Sequence, residues 1–151
     1  MEYLFYKLVH IVSVVLFLGN ITLSTFWMRR AAASGDGIVI AYALRTIVAL
    51  DSMITMPASV ILAASGVMTA MIGGYNIMKT GWIVWPLTLF TLSAILFMAL
   101  VAPLQRKMLA AAEPLDMERY RPLYRMWNLW GANAVLLPLA AIVMMVLKLP
   151  L

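Results

Sequence analysis

The sequence has no cysteine, a single histidine and little charge, with Asp, Glu, Lys and Arg making up 11% of its 151 residues. Without cysteine there are no disulfides, thiolate metal sites, iron–sulfur clusters or cysteine nucleophiles. The shortage of charge excludes an ordinary soluble domain, where roughly 25% of residues are charged and about 45–50% apolar. Here 65% are hydrophobic and the mean hydropathy is +0.98. Small domains bury only about two thirds of the surface that their unfolded chains expose, so this much apolar surface requires a lipid bilayer as solvent. Disorder and nucleic-acid binding fall on the same ground, despite a net charge of +5. A glycine-rich phosphate loop, a nucleophile elbow, a metalloprotease helix and paired intramembrane carboxylates are also missing, which leans away from an enzyme. Charge inside the apolar stretches is too sparse for a chain that couples an ion gradient by itself.

What is present is long uncharged runs. Cutting at every charged residue leaves Leu8–Met28 (21 residues), Ser52–Met78 (27), Thr80–Gln105 (26) and Met126–Leu147 (22). Each exceeds the roughly 18 residues that mark a transmembrane helix. The pattern predicts an all-α integral membrane four-helix bundle, a single domain over 1–151, with spans near 4–28, 52–74, 82–104 and 126–148. The first run lacks a basic start and a small-residue cleavage site, and it ends in Phe26-Trp27-Met28 before two arginines. It therefore reads as a retained helix and not as a signal peptide.

Basic residues orient the bundle. Arg29, Arg30, Arg45, Arg106, Lys107, Arg119, Arg121 and Arg125 flank the first and third connections, leaving Lys7, Lys79 and Lys148 at the opposite face. The positive-inside bias puts the arginine-rich face in the cytoplasm of a bacterial inner membrane and both termini outside. Interfacial aromatics agree, with Tyr3, Tyr6, Tyr75, Trp82 and Trp85 toward one face and Trp27, Tyr124, Trp127 and Trp130 toward the other. On the arginine-rich side the helices should outrun the bilayer as two long hairpins. Asp36, after the turn residues Ser34-Gly35, suits an N-cap; Glu113-Pro114 should break the chain, and Asp116 suits the next cap. Pro57, Pro86 and Pro138 are expected to kink three of the helices.

Polar residues within the runs are the candidate sites. At about 100° per residue, Tyr3, Tyr6, Lys7, His10, Ser13, Asn20 and Ser24 share one face of the first helix, so that face looks inward. Two roles fit His10: an axial ligand to haem iron or a proton carrier, or an interhelical hydrogen bond. As the sole histidine, it cannot form a bis-histidine site within one chain. Methionine, plentiful at 13 residues, supplies Met68, Met144 and Met145 at a similar depth; each is a thioether ligand or a gap filler. Lys7 either meets a propionate or snorkels to the interface. Asn20 sits in mid-membrane as a cofactor contact or as helix–helix glue. Ser65-Gly66 on the second helix marks a surface where backbone approaches closely, for a neighbouring helix or a flat cofactor. Asp51 reads as part of an ion path or as the partner of Arg29, Arg30, Arg106 or Arg125.

The segment Lys7-Leu8-Val9-His10-Ile11, running on to Gly19-Asn20, resembles the opening helix of a group of small bacterial membrane proteins. That group includes HemJ-type protoporphyrinogen oxidases, CopD-like copper proteins and an uncharacterised four-helix family, domain of unknown function 2269, to which the similarity is greatest. The resemblance continues through Asp51, Pro57, Gly66, Trp85, Pro103-Leu104-Gln105-Arg106, Trp127, Gly131 and Pro138. In the HemJ-type relatives that histidine serves haem b, so the resemblance implies haem b held through His10; with Lys7, Asn20, Ser65 and Met68 as the candidate contacts read from the residues themselves, the expected role is electron transfer or redox sensing. The HemJ-type oxidases also need a lysine early in a later helix; Ile83–Phe90 has none, so the pattern departs from protoporphyrinogen oxidation. The alternative is a non-catalytic subunit or scaffold that packs against a partner protein or another copy as a homodimer.

Overall fold

The computed structural model describes residues 1–113 and 116–148; Pro114, expected to break the chain, lies outside the described residues. Four helices dominate: α1 (Glu2–Ser34), α2 (Gly37–Ile72), α3 (Gly81–Ala112) and α4 (Met117–Leu147). Each is long and apolar enough to cross a membrane. At 1.5 Å per residue, the 33 residues of α1 span about 50 Å, well beyond the roughly 30 Å of a hydrocarbon core.

Local chemistry sets the boundaries at the arginine-rich end. Gly35 ends α1 with φ 68°, a left-handed conformation that favours glycine. Asp36 then caps α2 by accepting from the Ile38 N–H at 2.8 Å, and Asp116 caps α4 by accepting from the Arg119 N–H at 3.0 Å. At the opposite end, α2 and α3 are joined by a short link holding a 3-10 turn, Ile77–Lys79.

Two prolines coincide with a change of helix type. Two π-turns interrupt otherwise α-helical geometry, Asp51–Thr55 in α2 and Phe97–Val101 in α3. Each lies just ahead of a proline, Pro57 or Pro103. A proline removes one helical donor and its ring crowds the carbonyl four residues back. In both helices that carbonyl, of Met53 or Ala99, falls inside the widened turn. The Met56 N–H reaches the Asp51 carbonyl and the Ala102 N–H reaches the Phe97 carbonyl, five residues back. Pro86 and Pro138, by contrast, sit inside stretches that remain α-helical.

Packing is uneven along the bundle. α1 lies against α2, and α3 against α4, over much of their lengths; the hairpins meet chiefly where the start of α2 crosses the end of α3. The core sits at that arginine-rich end, with Met28, Ile40, Leu44 and Met108 fully buried. Deeper in, the two hairpins touch through an edge-to-face pair, Phe17 of α1 and Phe90 of α3, with centroids 5.7 Å apart. Between that pair and the core, the hairpins enclose a cavity.

Candidate functional site

The cavity measures about 830 Å³ and takes its lining from all four helices. Ligand pockets commonly span about 300–1,000 Å³. Phe17, Phe90 and Phe97 make much of the wall, and exposed Phe26, Val60 and Leu136 form a rim. A smaller cavity of about 230 Å³ lies beside it, bordered by Pro103 and the exposed Arg106. Asp51 and Gln105 border both.

A buried polar chain crosses three helices at this level. The Asn20 side-chain amide of α1 donates to Thr55 Oγ1 at 2.7 Å, and the Thr55 hydroxyl donates to Asp51 Oδ1 at 2.9 Å. Gln105 of α3 donates through Nε2 to Asp51 Oδ2 at 2.9 Å. All four residues are buried. The sequence pointed to an arginine for Asp51. Among the described residues the ion pair formed is Arg45–Glu113, at 2.8 Å on the exposed surface, while Asp51 has a neutral amide and a hydroxyl instead. Burial explains the choice. A guanidinium brought to a carboxylate that is 7% exposed would itself lose its water, a penalty that a neutral amide donor avoids.

Two side chains that line the cavity each keep a polar atom buried without a partner, shielded from the cavity by its neighbours: the Ser24 hydroxyl of α1 and the Trp127 indole N–H of α4. Trp127 is 5% exposed and Ser24 is 7% exposed. Unpaired buried polar groups are uncommon in folded proteins, because each forfeits its hydrogen bonds to water. Tyr124 stacks on the Trp127 ring at 6.2 Å and fixes its plane.

His10 belongs to a different place. Its Nδ1 lies 2.9 Å from the Leu62 carbonyl oxygen of α2, so Nδ1 is the donor in this bond. The ring rests on Gly66, where an added Cβ would lie 2.9 Å from Cε1. The close approach expected at Gly66 is thus made by the histidine. Ser65 is buried beside it, and its hydroxyl also reaches the Leu62 carbonyl, at 3.3 Å. Met68, two residues past Gly66, is exposed and falls on another face of the helix. Lys7 is exposed, its ammonium 5.9 Å over the Tyr3 ring. Asn20, ten residues along α1, is about 15 Å from His10 by helical rise and joins the Asp51 chain.

The residues marked in the sequence therefore divide into two groups: His10 with Ser65 near the termini, and Asn20 with Asp51 near the arginine-rich end. Neither of the two cavities reaches His10. Sequence reasoning placed Ser24 on the inward face of α1 and Trp127 among the interfacial aromatics, and it missed Thr55 and the grouping of these residues around one cavity. The available signal was depth, since Ser24, Asp51, Gln105 and Trp127 lie 7 to 14 residues from the ends of their helices at the arginine-rich side.

A family described as "predicted integral membrane protein (DUF2269)" matches residues 4–149. No curated protein and no solved structure matches the chain.

Proposed function

We propose, for a chain that belongs to the DUF2269 family of predicted integral membrane proteins, that it binds an amphipathic small molecule of the bilayer between its two hairpins. The carrying observation is the 830 Å³ cavity, apolar on most of its wall, with the hydrogen-bonded residues Asp51, Thr55 and Gln105 on its lining. Such a combination is the usual form of a small-molecule site. The hairpins meet firmly at the arginine-rich end and leave the rim to lipid-exposed side chains, so a membrane-dissolved molecule has a lateral way in. In this reading the protein resides in the bacterial inner membrane, with the arginine-rich end in the cytoplasm and both termini outside. It acts by binding and has no reaction of its own.

Gly131 supplies the test. It lines the cavity, and a Cβ added there meets nothing within 4 Å. The Cβ of Gly131→Leu enters open space, and the rest of the side chain is expected to extend into the cavity. The expected result is an unchanged or raised unfolding temperature together with loss of the small molecule that co-purifies, read by mass spectrometry of organic extracts. Retention of that molecule at the wild-type level would overturn the reading.

A second reading rests on His10. Metal-bound histidines characteristically give their other ring N–H to a carbonyl or carboxylate, and the Nδ1 bond to Leu62 leaves Nε2 available in that manner. Under this reading His10 holds haem b, which would supply one-electron chemistry. The described residues near the ring are a poor enclosure for a porphyrin, because Gly66 closes one side and Lys7 and Met68 are exposed elsewhere. The second axial position would then fall to another copy of the chain or to a partner protein. Oxidised and reduced absorption spectra of wild type and His10→Ala decide it. A Soret band lost in the variant supports haem; a spectrum without one, in protein made with ample haem, removes it.

A further inference from the structure

Resting on the cavity reading, we propose that the occupant is an amphipathic organic cation, selected by the negative charge of Asp51 on the cavity wall. Six acids occur in the chain, and five of them, Glu2, Asp36, Glu113, Asp116 and Glu118, lie at helix ends or in the connections. Asp51 is the one placed well inside a helix, and it lines both the larger cavity and the smaller one beside it. Among the described residues no cation pairs with it. Its oxygens accept one hydrogen bond each, from Thr55 and Gln105, whereas an ionised carboxylate offers about four acceptor sites. These neutral donors orient the group and leave its charge uncompensated. A carboxylate held in that way costs free energy until a positive charge comes near or a proton binds.

Burial decides which charge governs the cavity. Apart from Asp51, the charged residues on the two linings are Arg29 of α1 and Arg106 of α3; α4 contributes none. Both arginines are exposed and therefore screened by water, while Asp51 is 7% exposed. A buried charge acts across several ångströms of apolar space, so the preference for a cation needs no direct contact with the carboxylate. The rest of the lining suits the remainder of such a molecule. Phe17, Phe90, Phe97 and Trp127 are aromatic groups of the kind that receive organic cations, and most of the wall is apolar. Arginine stays protonated at any working pH, which leaves Asp51 as the group on either lining through which pH acts. Proton and organic cation compete for its charge.

The test uses the full chain in lipid nanodiscs, with tetraphenylphosphonium as probe and tetraphenylborate, of the same shape and opposite charge, in a separate series. Equilibrium dialysis against protein-free nanodiscs reads each bound ion by its ultraviolet absorption. Saturable binding of the cation alone is expected, with affinity about tenfold weaker in Asp51→Asn, which keeps the size of the side chain and removes its charge. Acidification should weaken binding to wild type and leave that of Asp51→Asn unchanged. Gly131→Leu should lose the cation, which locates it in the cavity. The comparison of the two ions and the pH series need wild type only, so the test holds if the Asp51 variant fails to fold. If the anion binds as well as the cation, or Asp51→Asn or Gly131→Leu keeps the wild-type affinity, the assignment of charge is overturned while the cavity reading stands on its own test. If neither ion binds, the assignment falls, and the molecule that co-purifies with wild type and Gly131→Leu decides separately whether the cavity reading falls with it.

Discussion

At the scale of single residues, His10 and Asp51 show how a membrane interior treats polar groups. Each is bonded to the neighbouring helix, His10 to the Leu62 carbonyl of α2 and Asp51 to Gln105 of α3. For His10 the contact is tight enough to predict a coupling. Its ring is tied to the Leu62 carbonyl and lies against Gly66. In Gly66→Ala the new methyl would fall 2.9 Å from Cε1, so the ring has to move and its hydrogen bond stretches or breaks. Interhelical polar contacts in membranes are worth about 0.6 kcal/mol on average, and overpacking adds about 1–3 kcal/mol. Gly66→Ala should thus destabilise the bundle by about 1–3 kcal/mol. The same change in a His10→Ala background should cost clearly less, since the opposing atoms are gone. Thermal unfolding in detergent of the four proteins of this cycle measures the coupling; strict additivity would show that the two residues do not press on one another.

At the scale of helices, much was legible because the signals are local. Charged residues bound each apolar run, and Asp36 and Asp116 cap the helices that follow them, as short acceptor side chains at those positions should. The π-turns were less legible. Pro57 and Pro103 are plain in the sequence, yet proline states only that a donor is missing and a carbonyl is crowded. Whether the helix bends, widens or simply continues depends on what packs around it. Pro86 and Pro138 stay in α-helical geometry, whereas α2 and α3 both widen beside the cavity. There the widening has a consequence. Asp51 opens one π-turn and Thr55 closes it, and the two side chains bond to each other while reaching different helices. π-turns often accompany functional sites, and this one holds the carboxylate on the cavity wall. The neutral partner of Asp51 was illegible for a related reason. Charge complementarity along the sequence points to arginines, but burial decides which donor can come near.

At the scale of the whole molecule, the arrangement is two hairpins fastened at one end and parted farther in. The fastening is apolar, with Met28, Leu44, Met108 and Ala111 at or near zero exposure. The exposed Arg45–Glu113 pair adds little, since surface ion pairs are typically worth about 0–1 kcal/mol. Which side of the membrane holds this fastened end would determine from which leaflet the proposed ligand enters, and that side can be read directly. Eight of the eleven Lys and Arg residues flank the two connections at that end, which the positive-inside bias places in the cytoplasm. The absence of cysteine makes the measurement clean, because any single introduced thiol is the sole target of a maleimide. Met78, in the link between α2 and α3, is 82% exposed; Ser34, at the end of α1, is exposed at the opposite end. In intact cells a membrane-impermeant maleimide should label Met78→Cys at once and Ser34→Cys only after permeabilisation. The reverse pattern would invert the molecule and bring the ligand in from the outer leaflet. Equal labelling of both in intact cells would mean that the bundle is inserted in two orientations.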